Sequence, residues 1–174
     1  MSCQIVCSVC GHSSEDLLRI FCSSCGQPLE VQNDSNFERS EISKKDYSVW
    51  RYKRFFSYVK ESNIVSLGEG WTPLVEFSKN TYFKLEGSNP SGSFKDRGST
   101  VLISAIHELI KSHKGYISED SSGNAGASIA AYAARAGLKA KIYVPVTVSG
   151  PKFNQIQRYN ADVEKISEIG RAHV

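Results

Sequence analysis

The sequence has no apolar run approaching the ~18 residues that span a bilayer, and its start, Met1-Ser2-Cys3-Gln4-Ile5-Val6, has no basic stretch leading into an apolar one. Membrane-spanning and secreted classes are set aside on these grounds, and a cytoplasmic protein is expected. A strong charge of one sign is missing as well. The 21 basic and 18 acidic residues leave a net charge of +3, too mild to argue for an acidic partner. There is no internal repeat, no low-complexity tract, and no cysteine beyond residue 25. What remains is 174 residues, 40% apolar and 22% charged, an ordinary globular composition with enough chain for one domain, or a small module plus most of a second.

The five cysteines (Cys3, Cys7, Cys10, Cys22 and Cys25) are crowded at the start, and four of them form two C-x-x-C pairs, each followed by glycine. A tetrahedral zinc ion takes four thiolates, and each C-x-x-C turn can present two. Gly11 and Gly26 follow the pairs where a sharp turn with positive φ is needed. The gap of 11 residues between Cys10 and Cys22 is shorter than the usual spacing of about 15–20. Disulfides need an oxidising compartment, a redox C-x-x-C comes singly, and free thiols would not fall into matched pairs. The expectation is a structural zinc ribbon with Cys7, Cys10, Cys22 and Cys25 as ligands, Cys3 outside the shell and His12 a poor substitute. So short a segment would draw its folding energy from the metal.

Residues 32–45 are polar and suit a solvated connector. Trp50-Arg51-Tyr52-Lys53-Arg54-Phe55-Phe56 then forms an aromatic, basic patch. It fits either a nucleic-acid surface or an amphipathic helix whose aromatics dock on the next domain, and the docking reading is preferred. From Leu67 the pattern becomes α/β. Short β-prone runs at Thr81–Leu85, Tyr116–Ser118 and Lys141–Val144 alternate with helices expected at Asp96–Lys111, Asn124–Ala136 and Pro151–Tyr159. The first helix is expected to bury Leu102, Ile106, Leu109 and Ile110. Such alternation predicts a parallel, doubly wound sheet.

Two loops carry chemistry. Asn89-Pro-Ser-Gly-Ser-Phe-Lys-Asp-Arg-Gly98 puts Lys95 at a strand-to-helix transition, beside the positive end of the helix dipole. An unpaired lysine is disfavoured there, a cost to a structural lysine but useful to an amine that must attack a carbonyl. Asp96 and Arg97 are expected to hold the first turn, and Gly92 to let the backbone approach a bound group. Taken alone, the loop leaves a Schiff-base lysine and a surface lysine equally open. Ser121-Ser-Gly-Asn-Ala-Gly-Ala-Ser128 opens the next helix, where hydroxyls and backbone N–H groups can receive an anion. The same residues could simply cap the helix.

Leu67-Gly-Glu-Gly-Trp-Thr-Pro-Leu74, Lys84-Leu-Glu-Gly-Ser-Asn-Pro-Ser-Gly-Ser-Phe-Lys-Asp-Arg-Gly98, Ser121-Ser-Gly-Asn-Ala-Gly126 and Ala130-Ala-Tyr-Ala-Ala-Arg-Ala-Gly137 together resemble the threonine synthase family, pyridoxal-phosphate enzymes of fold type II, tryptophan synthase β-like. The resemblance covers nearly all of residues 1–165. It implies a zinc ribbon at 1–31, a linker with an aromatic, basic helix at 32–66, and the N-terminal part of a catalytic domain at 67–165. It makes Lys95 the catalytic, cofactor-linked lysine and sets Asn124 against the cofactor's 3′-oxygen. Ser121, Ser122 and Gly123, with Asn124, become the substrate-carboxylate loop. The implied substrate is O-phosphohomoserine, with phosphate lost from the γ carbon and water added at the β carbon. A homo-oligomer is left open.

Glu119-Asp120 departs from the small neutral residues expected before that loop and would resist a doubly anionic substrate unless turned away. Asn160 stands where such enzymes have glycine, but asparagine also tolerates a left-handed helix end. The family's phosphate cradle and its partner for the pyridine nitrogen lie in a second half, so these residues alone are expected to be inactive. Residues 168–174 back-translate to a sequencing adapter, and 166–174 are read as an artefactual or frayed tail.

Overall fold

The computed structural model describes residues 4–16, 19–32 and 36–167. Cys3 and residues 168–174 of the expected tail lie outside the described residues. At the N-terminus, β1 (Gln4–Cys7) pairs antiparallel with both β2 (Ser13–Ser14) and β3 (Leu29–Gln32) in the order β2-β1-β3. Its two turns end in Gly11 and Gly26, at φ 71° and 74°, the left-handed region that the motif required of them.

The aromatic segment is a 3₁₀ helix, Val49–Phe55, rather than an α-helix. Val49 and Trp50 are buried, and Trp50 Nε1 donates to Thr100 Oγ1 at 2.9 Å. This segment therefore docks on the following domain. Arg51 lies over the Trp71 ring, 4.2 Å from its centroid.

Two strands then pair with each other alone. β4 (Leu74–Ser78) and β5 (Thr81–Lys84) form an antiparallel hairpin closed by Lys79 and Asn80, the latter at φ 62°. The β-prone run at Thr81 thus stands outside the parallel sheet. That sheet consists of β6 (Ile117–Glu119), β7 (Ala140–Pro145) and β8 (Asp162–Ile166), all parallel and in sequence order. α2 (Asn124–Ala136) and α3 (Pro151–Arg158) make the two crossovers between these strands and pack on each other, as parallel connections of the usual right-handed sense place them. Double winding needs a reversal of strand order, and the described residues contain none. β8 also takes in Ile166, the first residue expected to be tail: Val146 N donates to its carbonyl at 3.0 Å.

The core lies between this sheet and α2, with α1 (Lys95–Ser112) against the other side of α2. Most of α2 is small and buried, because it packs against α1, α3 and the sheet at once. Gly137 ends it in the left-handed conformation at φ 67°; Asn160 does the same beyond α3 at φ 60°. The buried side of α1 differs from the apolar stripe expected. Asp96, Ser99, Thr100, Ile103, Ser104 and Ile110 are buried, whereas Leu102 is exposed. Helical spacing holds, but four of these six residues are polar and hydrogen-bonded, so a search for apolar periodicity passes over the stripe.

Candidate functional site

Lys95 is the first residue of α1 and is exposed. Its Nζ lies 5.0 Å from the centroid of the Phe94 ring, and it has no hydrogen-bond or ion-pair partner among the described residues. Asn124 is the first residue of α2 and is exposed, behind an N-cap at Gly123 that has no side chain to cap the helix. Ser121 Oγ accepts from Gly123 N at 3.3 Å, which shapes the loop. The N–H groups of the first turn of α2 itself have no side-chain acceptor among the described residues.

Contacts between distant residues bring the two loops together. Asp96 is fully buried, and its carboxylate accepts from Ser91 N at 2.7 Å, from Ser91 Oγ, and from Ser128 Oγ at 2.6 Å. Ser128 Oγ also reaches Ser99 Oγ at 2.8 Å. Asp96 thus ties the lysine loop to α2, rather than holding the first turn of its own helix. On its other side, Ser91 O accepts from Lys152 Nζ at 3.2 Å and Gln155 Nε2 at 3.0 Å, both on α3. Gly92 is needed here for its backbone conformation, φ 85°; a Cβ on it would sit 3.6 Å from Lys152 Nζ, an ordinary contact. Gly126 is needed for space, since a Cβ there would lie 1.9 Å from the Ser121 carbonyl oxygen.

Arg97 turns away from the loop. Its guanidinium grips Glu86 with two 2.8 Å bonds, Nε to Oε2 and Nη2 to Oε1. Thr72 Oγ1 adds a third donor to Glu86 at 2.7 Å. Arg97 holds the Glu86 carboxyl at about 2, far below its usual 4.5. Asn89 Oδ1 accepts from Gly70 N at 2.9 Å, so the two glycine-rich motifs are sewn to each other and to α1. Glu69, fully buried, accepts from Tyr132 Oη at 2.7 Å and Leu67 N at 2.9 Å. Burial, then this carboxylate, keep the Tyr132 phenol protonated.

Glu119 ends β6 and is half-buried. Burial pushes its carboxyl up and Asp120 adds to that, while the charge of Lys95 pulls the other way.

In the N-terminal module, the Sγ atoms of Cys7, Cys10, Cys22 and Cys25 all lie within 4.8 Å of one another. Cys7 and Cys25 approach to 3.4 Å, and Cys10 and Cys22 to 3.6 Å. His12 Nε2 is engaged with Ser23 Oγ at 2.9 Å instead.

The residues around Lys95 suit a pyridoxal group: an unpartnered amine, an unpartnered amide, uncapped helix N–H groups, and Ser93 Oγ, buried without a hydrogen-bond partner. The family model for "Pyridoxal-phosphate dependent enzyme" matches residues 65–173. The chain belongs to the pyridoxal-phosphate-dependent enzyme family. It is similar to the threonine synthase of Methanocaldococcus jannaschii, 37% identical over 92% of this chain and 42% of that protein. A second relative, the threonine synthase of Halalkalibacterium halodurans, is 37% identical over 68% of this chain and 36% of its own length. The chain thus spans well under half of these relatives. Among solved structures it is similar to an O-acetylserine dependent cystathionine beta-synthase from Helicobacter pylori, at 29% identity and TM-score 0.45, over 60% of this chain and 36% of that one. No helix among the described residues is long and apolar enough to cross a membrane.

Sequence reasoning missed the residues that this pyridoxal-phosphate-family site uses to hold its loops: Ser91 and Ser128 with Asp96, and Glu86 with Arg97. Serines and ion pairs far apart in sequence leave no periodic signal.

Proposed function

We propose that the protein containing this chain is a pyridoxal-phosphate-dependent lyase of the threonine synthase type, converting O-phospho-L-homoserine and water to L-threonine and phosphate. The observation that carries the reading is Lys95: an exposed, unpartnered amine on the first residue of a helix, beside a second helix whose N-terminus is uncapped. Similarity to two threonine synthases over most of the chain supports the choice of reaction.

When bound, pyridoxal phosphate supplies an electron sink for charge that develops beside the substrate amine. Lys95 Nζ would be the covalent anchor and the group that carries protons between substrate carbons. The Asn124 amide would hold the ring hydroxyl oxygen. Hydroxyl and backbone N–H groups of Ser121, Ser122 and Gly123, with Asn124, receive the substrate carboxylate, aided by the α2 dipole. Asp96, Glu86 and Arg97 are already committed to one another's loops and serve as framework.

The ribbon's four thiols suit a tetrahedral structural zinc ion held by Cys7, Cys10, Cys22 and Cys25. Such a site belongs in a reducing compartment, in keeping with a cytoplasmic protein. Docking of Trp50 on α1 supports a framework role for the basic segment, not a nucleic-acid surface.

One observation favours a second reading, a type II lyase acting on a different amino acid. Glu119, half-buried at the end of β6, and Asp120 directly precede the loop at Ser121, and carboxylates there would oppose a doubly anionic substrate. The test is Lys95→Ala in the whole protein. The variant should lose near-visible cofactor absorbance that borohydride abolishes in the wild type, and lose turnover, while its unfolding midpoint stays close to wild type. Normal turnover by the alanine variant would overturn the mechanism. A panel of phosphorylated and hydroxylated amino acids separates the two substrate readings.

A further inference from the structure

Two features are left unused by this mechanism: the fully buried carboxylate of Asp96 and the fully buried hydroxyl of Ser128. Asp96 directly follows Lys95, and Ser128 lies one helical turn beyond Asn124. Their 2.6 Å hydrogen bond is a direct polar contact between the lysine-bearing helix α1 and the asparagine-bearing helix α2. Ser99 Oγ, one turn further along α1, lies 2.8 Å from the same hydroxyl and can donate to its oxygen. The opposite carboxylate oxygen of Asp96 holds Ser91 N at 2.7 Å, and Ser91 is fixed from behind by Lys152 and Gln155. One carboxylate thus receives donors from the lysine loop and from α2, with α3 bracing the far side of that loop. Arg97, the nearest guanidinium in sequence, is spent on Glu86, so the carboxylate is satisfied by neutral, directional donors. Directional bonds at a buried site fix register more tightly than apolar contact does.

We propose that Asp96 and Ser128 are positioning residues whose hydrogen bond sets the register of Lys95 against Asn124. This rests on the assignment of Lys95 and Asn124 as the pair that faces the cofactor. Without the bond, α1 and α2 keep their apolar packing but can slide, and an offset near 1 Å at a reacting centre costs up to about 100-fold in rate.

The test is Ser128→Ala in the whole protein, because Asp96→Ala would also strand Ser91. Ser104→Ala is the control: Ser104 is equally buried, accepts from Val65 N at 2.8 Å, and lies two turns along α1 from Asp96. Wild type is measured first for borohydride-sensitive absorbance; if there is none, the Lys95 assignment fails and this proposal with it. With that signal present, Ser128→Ala should lower kcat by about tenfold to 100-fold, with KM much less affected, and should move the near-visible absorbance maximum. Ser104→Ala should lower the unfolding midpoint comparably while leaving kcat and absorbance at wild-type values. Unchanged kcat and absorbance in Ser128→Ala overturns the proposal, and so does a loss that both variants share in proportion to stability. Ser128→Cys replaces the hydroxyl with a weaker donor and serves the same comparison if the alanine variant fails to fold.

Discussion

Trp50 and Thr100 meet fifty positions apart in sequence, the indole N–H donating to the threonine hydroxyl at 2.9 Å. That hydroxyl in turn donates to Val65 O at 2.7 Å. The chain leading out of the ribbon, the start of the catalytic segment and the middle of α1 are joined by this relay. Trp50→Phe keeps most of the buried ring but removes the donor, and should cost about 1–2 kcal/mol. Trp50→Ala should cost about 3–5 kcal/mol. Urea unfolding measures both, and a phenylalanine variant as stable as wild type would remove the relay's importance.

The cysteine cluster should hold one zinc ion. Without a cation the Cys7 and Cys25 thiols are pushed in opposite directions. A backbone hydrogen bond from Cys10 leads the pull of Cys7 down to about 7. At Cys25 the Gln27 amide pulls down, but hydrogen bonds with Cys10 and Cys7 prevail and push it up to about 12. Cys22→Ser should release the metal and unfold the ribbon, leaving the α1–α2 unit folded. Metal analysis of purified protein reads this directly, and the absence of near-stoichiometric zinc sinks the assignment.

Glu86 gives the fold an acid-sensitive joint. Its folded value, about 2, lies below the ordinary 4.5 because Arg97 grips it, with burial opposing. A depressed carboxylate contributes stability that is present above the unfolded value and lost as pH falls toward the folded one. The window is therefore about pH 4.5 down to 2. Glu86→Gln should be less stable at neutral pH and should flatten the acid limb of the stability curve in that window. An unaltered acid limb would show that the pair does not govern it.

Gly126→Ala tests the close approach of α2 to its own loop. The added methyl would lie 1.9 Å from the Ser121 carbonyl oxygen and 3.2 Å from Ile142 Cγ2. A backbone oxygen cannot swing aside as a side chain does, so the 121–123 loop must move. Destabilisation should reach or exceed the about 1–3 kcal/mol usual for overpacking, with weakened cofactor binding in a titration. A variant with wild-type midpoint and affinity would show that the loop yields freely.

Several features are written locally and were legible in the residues themselves. Helix α2 runs from Asn124 to Ala136, as its Gly-Asn start and its stop at Gly137 indicate. Pro151 opens α3, Gly11 and Gly26 take positive φ, and the two C-x-x-C pairs converge on one point. Each rests on the φ preference of one residue or on a spacing within a turn, which the chain carries wherever it is placed. Lys95 and Asn124 stand at helix starts beside glycine and serine, a position that the local residues also indicate.

Tertiary structure alone decided which residues partner across distance. Nothing near Asp96 in sequence indicates that its carboxylate faces Ser128, or that α1 buries serine and threonine in place of Leu102. The hairpin β4–β5 leaves the parallel sheet because Leu74–Ser78 offers a partner one tight turn away, and β8 exists because β7 presents it an open edge. Such pairings are selected by burial, which makes an unsatisfied polar group costly and so rewards the one packing in which each finds its donor. A periodic apolar pattern registers the burial of a helix, but only the assembled core determines the hydrogen-bond partners of the polar groups it encloses.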